Sequence, residues 1–132
     1  MLPGGLCDHS HMCRRVLVVD DHPSFRRLAT KILRAGGFEV VGEAEDGRAA
    51  LAVARLLRPE LVLVDVLLPD MSGFAVAEAL AADSSRPLVV LVSSRSESEF
   101  GAAVDESAAH GFITKSDLSA EALAAVVDGR LR

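Results

Sequence analysis

The segment Leu61-Val-Leu-Val-Asp65 is a continuous run of apolar residues that ends in an acid. An earlier segment, Arg15-Val-Leu-Val-Val-Asp20, repeats the pattern. Apolar runs without polar alternation are typical of strands that are buried on both faces of a parallel sheet. The two segments therefore predict two central strands, each with an aspartate at its carboxyl end.

Three further strands and five helices are predicted around those two segments. The other strands are Phe38 to Ala44, Leu88 to Val92 and Gly111 to Lys115. The helices run from Pro23 to the Gly36-Gly37 pair, from about Gly47 to Arg58, from Gly73 to about Ala82, from about Glu97 to Ala109, and from Leu118 almost to Arg132. Strands that alternate with helices form right-handed βαβ units. The sequence predicts one doubly wound α/β domain, a (βα)5 fold whose five-stranded parallel sheet has helices on both faces.

Composition limits the class of protein. The chain has 132 residues, half of them hydrophobic, and a net charge of −5. This acidic balance argues against direct DNA binding by the chain, because phosphate contacts require a basic surface. No apolar run approaches the roughly 20 residues that cross a bilayer, and no signal-peptide layout is present, so no membrane association and a cytoplasmic location are expected.

Residues 1–13 precede the first strand and are predicted to be a disordered leader or a cloning remnant, with the domain covering residues 14–132. Cys7, His9, His11 and Cys13 alternate within this leader. In an extended segment they lie on one side, which leaves a zinc site as an alternative. Their spacing differs from that of zinc loops, so the leader without metal is the preferred interpretation.

Polar residues follow four of the predicted strands. They are Asp20 and Asp21, Asp65, Ser93 and Lys115. Any one of them is an ordinary turn or surface residue, but sites in such folds form beyond the carboxyl ends of the strands, so we expect the five to converge. Three carboxylates in one place repel unless a hard cation such as Mg²⁺ neutralises them. A hydroxyl and an ammonium group suit a phosphoryl group bound to one carboxylate, which indicates an aspartyl phosphate.

These residues give the sequence a resemblance to the response-regulator receiver domain, from Arg15 to about Leu131. The matching positions are the acidic pair Asp20-Asp21, the loop Val64-Asp65-Val-Leu-Leu-Pro69-Asp-Met-Ser-Gly73, the hydroxyl residue Ser93, the aromatic Phe112 and Lys115. The opening Val-Asp-Asp-His-Pro-Ser-Phe-Arg and the later Lys-Ser-Asp-Leu are most similar to the subfamily that often carries a LuxR-type helix-turn-helix.

The resemblance implies a flavodoxin-like fold and a role for each matching residue. Asp65 is the expected phosphoacceptor, with a sensor histidine kinase as the donor. Mg²⁺ is expected to bind Asp21, Asp65 and the backbone carbonyl of Leu67, while Asp20 holds its waters. The chain is expected to be a regulatory domain and not an enzyme.

The resemblance also implies a conformational switch. Lys115 and Ser93 are expected to act on the arriving phosphoryl group, and Ser93 and Phe112 to pass the change to the face made by the fourth helix, fifth strand and fifth helix. A homodimer on phosphorylation is one implied outcome. From the residues alone, Phe112 is most simply a core aromatic of a strand, and the switching role depends on the resemblance. Ser94 is a second hydroxyl beside Ser93, and Ser116 follows Lys115 where many receivers have proline, so no cis peptide is expected there.

Two other function classes are open at this point. A phosphatase of the haloacid-dehalogenase type also uses an aspartate, Mg²⁺ and a lysine, but it needs a second acid two residues after the nucleophile, where Leu67 stands. A receiver-like binding module that acts without phosphorylation is disfavoured because each key residue is present.

Overall fold

The computed structural model describes residues 14–129 of the chain. Its five strands are β1 (Arg15–Val19), β2 (Glu39–Ala44), β3 (Leu61–Asp65), β4 (Leu88–Ser93) and β5 (Gly111–Thr114). Its α-helices are α1 (Pro23–Ala35), α2 (Gly47–Leu57), α3 (Gly73–Ala81), α4 (Ala103–Glu106) and α5 (Ala120–Val127). Short 3₁₀ helices cover Glu97–Phe100 and Lys115–Asp117. The predicted leader and its cysteine and histidine residues lie outside the described residues.

The strands form one parallel sheet in the order β2-β1-β3-β4-β5. Alternate side chains of each central strand enter different apolar layers. Val16 and Val18 pack into the layer beneath α1 and α5, and Leu17 and Val19 into the layer beneath α2 and α3. Burial on both faces explains why these strands are apolar without interruption, and it confirms the predicted doubly wound α/β fold.

The strand order reverses between β1 and β3, which are neighbours in the sheet although β2 separates them in sequence. In open α/β sheets the groups that bind ligands collect beyond the carboxyl ends of the strands at such a point. Asp20 follows β1 and Asp65 closes β3. The topology therefore places the two acids side by side.

The prediction of a single helix from Glu97 to Ala109 is wrong. A 3₁₀ turn ends at Phe100, and Gly101 takes φ 61° and ψ −135°, which lies outside the helical region. The four-residue α4 follows, with Val104 as its buried residue. A capping box of Ser96 and Glu99 starts the 3₁₀ turn. The segment lacks an apolar stripe to hold a longer helix against the sheet.

Smaller differences concern the ends of elements. Lys115 is the first residue of a 3₁₀ helix and not the last residue of β5. Asp20 lies just after β1, and Phe38 lies just before β2. The α5 helix ends at Val127 instead of continuing almost to the last residue. All peptide bonds of the described residues are trans, as expected at Ser116. Among residues 14–129, no helix is both long and apolar enough to span a membrane.

Candidate functional site

Asp20 and Asp65 are held at the carboxyl edge of the sheet by the backbone around them. The amide of Asp20 donates to the carbonyl of Ala44 at the end of β2, over 3.0 Å. The loop after Asp65 turns tightly into α3, because a Cβ at Gly73 would lie 2.4 Å from the carbonyl oxygen of Asp65. Both carboxylates are buried, Asp20 completely.

Lys115 joins the two carboxylates. Its Nζ lies 2.7 Å from Oδ2 of Asp20 and 3.0 Å from Oδ2 of Asp65. The ammonium also lies 4.5 Å from the centre of the Phe25 ring, a cation–π contact. The single ammonium group of Lys115 therefore pairs with two buried carboxylates, and the site keeps an excess of negative charge.

The pKa values of the two acids shift in opposite directions. Burial raises the pKa of Asp65 above its ordinary value, although the Leu67 amide and Lys115 act in the opposite direction. Burial also acts to raise the pKa of Asp20, but Lys115 and two contacts from His22 outweigh it, and the pKa is lowered. For Lys115, burial is outweighed by the ion pairs with Asp20 and Asp65, so its pKa is raised. Asp20 is thus the acid that holds its charge most firmly.

The donor atoms fit a divalent cation. Asp20, Asp21, His22 and Asp65 each offer a ligand atom, and these atoms all lie within 4.8 Å of one another. Oδ2 of Asp20 is buried and accepts no hydrogen bond of ordinary geometry, despite the nearby ammonium. Three carboxylates form a hard oxygen set of the kind that Mg²⁺ prefers. The structure therefore brings together the predicted acids Asp20, Asp21 and Asp65.

Leu67, the predicted backbone ligand, lies beside the carboxylate of Asp65. Its amide donates to Oδ1 of Asp65 over 3.0 Å, while its side chain is largely exposed. The hydrogen bond fixes one oxygen of Asp65, and Lys115 fixes the other. Both carboxylate oxygens are therefore oriented before any ligand arrives.

His22 was not among the predicted site residues. Its amide donates to Oδ1 of Asp20 over 2.8 Å, and its ring Nδ1 lies 3.0 Å from Oδ1 of Asp20 and 3.1 Å from Oδ1 of Asp21. The ring itself is 63% exposed. The only signal in the sequence is its position directly after the acidic pair.

Ser93 ends β4 and is buried, whereas the neighbouring Ser94 is exposed. Burial thus favours Ser93 as the predicted hydroxyl. Val92 is the register partner of Asp65, so Ser93 lies one residue further toward the site edge. Its Oγ accepts the amide of Arg95 over 3.1 Å.

Phe112 is half-buried in β5, and its side chain is the end of a row of three aromatic rings. The ring centre of Phe100 lies 5.8 Å from that of Phe112 and 6.0 Å from that of Phe74. This aromatic row, Phe74, Phe100 and Phe112, connects the start of α3 to β5 through the 3₁₀ turn. The contacts of Phe100 with Phe74 and Phe112 were not predicted, because the position of its ring depends on the break in the helix at Gly101.

Comparisons with known proteins agree with this geometry. The response regulator receiver domain family matches residues 16–128. The DNA-binding response regulator MtrA of Mycolicibacterium smegmatis is 49% identical over 82 residues, which are 61% of this chain and 35% of MtrA. The chain thus spans about a third of the length of the MtrA proteins that it matches.

Two solved structures of receiver proteins are similar throughout the domain. The signal receiver domain of NarL from Mycobacterium tuberculosis is 35% identical with a TM-score of 0.78, over 89% of this chain and 95% of that one. A two-component response regulator of the LuxR family from Aurantimonas is 27% identical with a TM-score of 0.77, over 90% of this chain and 85% of that one. These similarities support the receiver interpretation over the phosphatase alternative. The chain belongs to the response regulator receiver domain family.

Proposed function

We infer that this chain, like other receiver domains of two-component response regulators, is a regulatory domain that is phosphorylated on an aspartate. We propose that Asp65 is the phosphoacceptor of this chain and that a sensor histidine kinase is the donor. The observation that carries the proposal is the position of the Asp65 carboxylate, buried at the switch point with Lys115 Nζ 3.0 Å from Oδ2. Among the described acids, only Asp65 contacts both the Lys115 ammonium and the Leu67 amide while also belonging to the cluster of acids.

The chemistry is a transfer of one phosphoryl group. A carboxylate oxygen of Asp65 attacks the phosphorus of a phosphohistidine, the phosphorus–nitrogen bond breaks, and its electron pair returns to the imidazole nitrogen. The product on the chain is an acyl phosphate. Lys115 and the Leu67 amide orient the nucleophile and stabilise its ionised form, which burial disfavours.

Receiver domains bind Mg²⁺ at an acidic pocket, and we assign the ligands here to Asp21, Asp65 and the carbonyl of Leu67, with Asp20 holding bound waters. When bound, Mg²⁺ neutralises the charge of the phosphoryl oxygens during the transfer. Asp20 suits an outer position because the His22 amide donates to its Oδ1 and the ammonium of Lys115 lies 2.7 Å from its Oδ2.

The remaining assignments concern the whole protein. The proposed domain covers residues 14–132, after a leader of 13 residues, and it acts in the cytoplasm as a switch without enzymatic turnover. Homodimerisation follows phosphorylation. This chain does not bind DNA directly, because its net charge of −5 gives no counterion-release contribution.

The direct test is phosphorylation by a small donor. With Mg²⁺ and acetyl phosphate, intact-protein mass spectrometry is expected to show the gain of one phosphoryl group. Chelation of the divalent cation with EDTA is expected to prevent that gain, because three carboxylates would then repel the incoming anion. A chain that folds and binds Mg²⁺ but gains no phosphoryl group would contradict the proposal.

The conformational switch has its own test by NMR. With beryllofluoride and Mg²⁺, amide shifts are expected to spread from Asp65 through Ser93 to Phe112 and α4, because an inward movement of the Ser93 hydroxyl opens space into which Phe112 turns. The short α4, with one buried residue, is the element that moves at least cost.

Two serine variants provide the matched comparison for this switch. Ser93→Ala is expected to confine the shifts to residues near Asp65, while Ser94→Ala, which alters the exposed neighbour, is expected to leave the full pattern. Shifts that stay near Asp65 in the unmutated chain would indicate a phosphoacceptor that does not transmit the change to Phe112.

A further inference from the structure

Asp70 connects the loop after the proposed phosphoacceptor to a different helix. Its Oδ1 accepts the amide of Gly47 over 2.8 Å, and its Oδ2 accepts the amide of Arg48 over 2.9 Å. These are the first two residues of α2, 22 or 23 positions away in sequence. Both amides donate to the carboxylate, so the pKa of Asp70 lies below its ordinary value.

The loop from residue 67 to residue 72 is otherwise closed on itself. Leu67 pairs with Ser72 across the loop, and the Gly73 amide donates to the carbonyl of Val66 over 2.7 Å. Apart from their pairing with each other, Leu67 and Ser72 bond only to residues of the adjacent β3 and α3, so within the described part of the chain Asp70 is the one residue of this loop whose hydrogen bonds reach an element distant in sequence. Met71 adds a packing contact at the same place, because a Cβ on Gly47 would lie 2.4 Å from its Cγ.

The α2 helix does not depend on Asp70 for an N-cap. Asp46 supplies that cap, and its Oδ1 accepts the amide of Ala49 over 2.8 Å. The start of α2 follows β2 closely, and the last residue of β2, Ala44, accepts the amide of Asp20. Asp70 therefore joins the loop that carries Leu67 to the segment that positions Asp20.

We infer that Asp70 is a positioning residue for the cation site. By holding the loop against α2, Asp70 keeps the backbone of Leu67 beside Asp65 and close to the acids that follow β1. The inference rests on the proposed function, since it concerns the proposed Mg²⁺ ligands. Asp70 is not part of the cluster of possible metal ligands, which consists of Asp20, Asp21, His22 and Asp65. Its effect passes through the loop backbone, as the partners of metal ligands affect affinity without binding the metal.

The test compares two carboxylates at the same end of α2. Asp70→Ala releases the loop, and Asp46→Ala removes the helix cap without touching the loop. Mg²⁺ affinity is measured by titration of amide shifts in NMR spectra, with a thermal melt of each variant as the measure of stability. Asp70→Ala is expected to weaken Mg²⁺ binding about tenfold, whereas Asp46→Ala is expected to lower the melting temperature and leave Mg²⁺ affinity unchanged.

A third variant, Asp70→Asn, distinguishes the effect of releasing the loop from a general loss of stability. Asp70→Asn keeps one oxygen acceptor, so its Mg²⁺ affinity is expected to lie between those of the unmutated chain and Asp70→Ala. It also carries the comparison if Asp70→Ala does not fold. Unchanged affinity in both Asp70 variants, or an equal loss in Asp46→Ala, overturns the inference.

The outcome is independent of phosphoryl transfer. If the unmutated chain binds Mg²⁺ but acetyl phosphate does not modify it, the proposed function fails, and the Mg²⁺ affinities of the variants still decide the role of Asp70. If phosphorylation occurs and the affinities are equal, only the role of Asp70 is rejected.

Discussion

Asp65→Asn is expected to abolish the gain of a phosphoryl group from acetyl phosphate. An amide oxygen is a far weaker nucleophile than a carboxylate, and no second carboxylate at the site has the same pair of contacts with Lys115 and the Leu67 amide. Mass spectrometry of the intact variant should therefore show the unmodified mass alone, at a donor concentration that modifies the unmutated chain fully.

Two measurements complete this experiment. Asp83→Asn, the same chemical change just beyond the carboxyl end of α3, is expected to be phosphorylated normally. Peptide mapping of the unmutated chain should place the label on the peptide that contains Asp65. A phosphoryl group that remains stably attached to Asp65→Asn would show that another residue is the acceptor.

The same substitution has a stability consequence that follows from the raised pKa of Asp65. Because the folded state binds this proton more tightly than the unfolded state, the contribution to stability is present at low pH and is lost as the pH rises through the raised pKa. At neutral pH the buried charge thus opposes folding. Asp65→Asn is expected to melt no lower than the unmutated chain, so its loss of phosphorylation cannot come from unfolding.

Lys115→Ala is expected to destabilise the chain by about 3 kcal/mol in the absence of divalent cations, because it leaves two buried carboxylates without their shared cation. Urea unfolding at neutral pH measures the loss. Addition of Mg²⁺ is expected to recover much of it, since the variant still has Asp20, Asp21 and Asp65. Its Mg²⁺ affinity should equal or exceed that of the unmutated chain, which keeps a competing ammonium.

The pH dependence of this loss has a definite sign. The raised pKa of Lys115 means that its stabilisation is fully present below the ordinary value of 10.5 and disappears only as the pH rises through the raised value. At acid pH the loss should also shrink, because protonation of Asp65 removes one of the two unbalanced charges. The largest difference between the proteins is therefore expected near neutral pH.

Matched variants make the result specific. Lys31, the other lysine of the chain, is exposed on α1, and Lys31→Ala is expected to change neither stability nor Mg²⁺ affinity. Asp21→Ala is expected to lose most Mg²⁺ binding. Equal Mg²⁺ affinity in Lys115→Ala and Asp21→Ala would show that the roles of the ammonium and the acid are wrongly divided.

The central strands and the convergence of the acids were predictable from the sequence. The runs before Asp20 and Asp65 are apolar because both faces of β1 and β3 are covered, and this burial is visible in the composition of each strand. The rule that sites form beyond the carboxyl ends of parallel strands then placed Asp20, Asp65 and Lys115 together without any knowledge of side-chain positions.

The features that were missed depend on contacts between distant segments or on a single backbone angle. Asp70 reads as a turn residue after Pro69, and its bonds to α2 appear only when the loop and the helix meet. The break after Phe100 follows from the positive φ of Gly101 in a segment whose polar pattern also fits a helix. The opposite pKa shifts of Asp20 and Asp65 depend on burial and on their contacts with His22, Leu67 and Lys115, which sequence spacing cannot reveal.

The aromatic row of Phe74, Phe100 and Phe112 has a practical consequence for spectroscopy. The chain contains no tryptophan and no tyrosine, so its near-ultraviolet absorption is weak and its intrinsic emission comes from phenylalanine alone. A single tryptophan at position 100 would be the only indole in the molecule, with the ring of Phe112 beside it. Its emission would report rotation of Phe112 in stopped-flow mixing, because excitation of the indole at long wavelength excites neither tyrosine, which the chain lacks, nor phenylalanine.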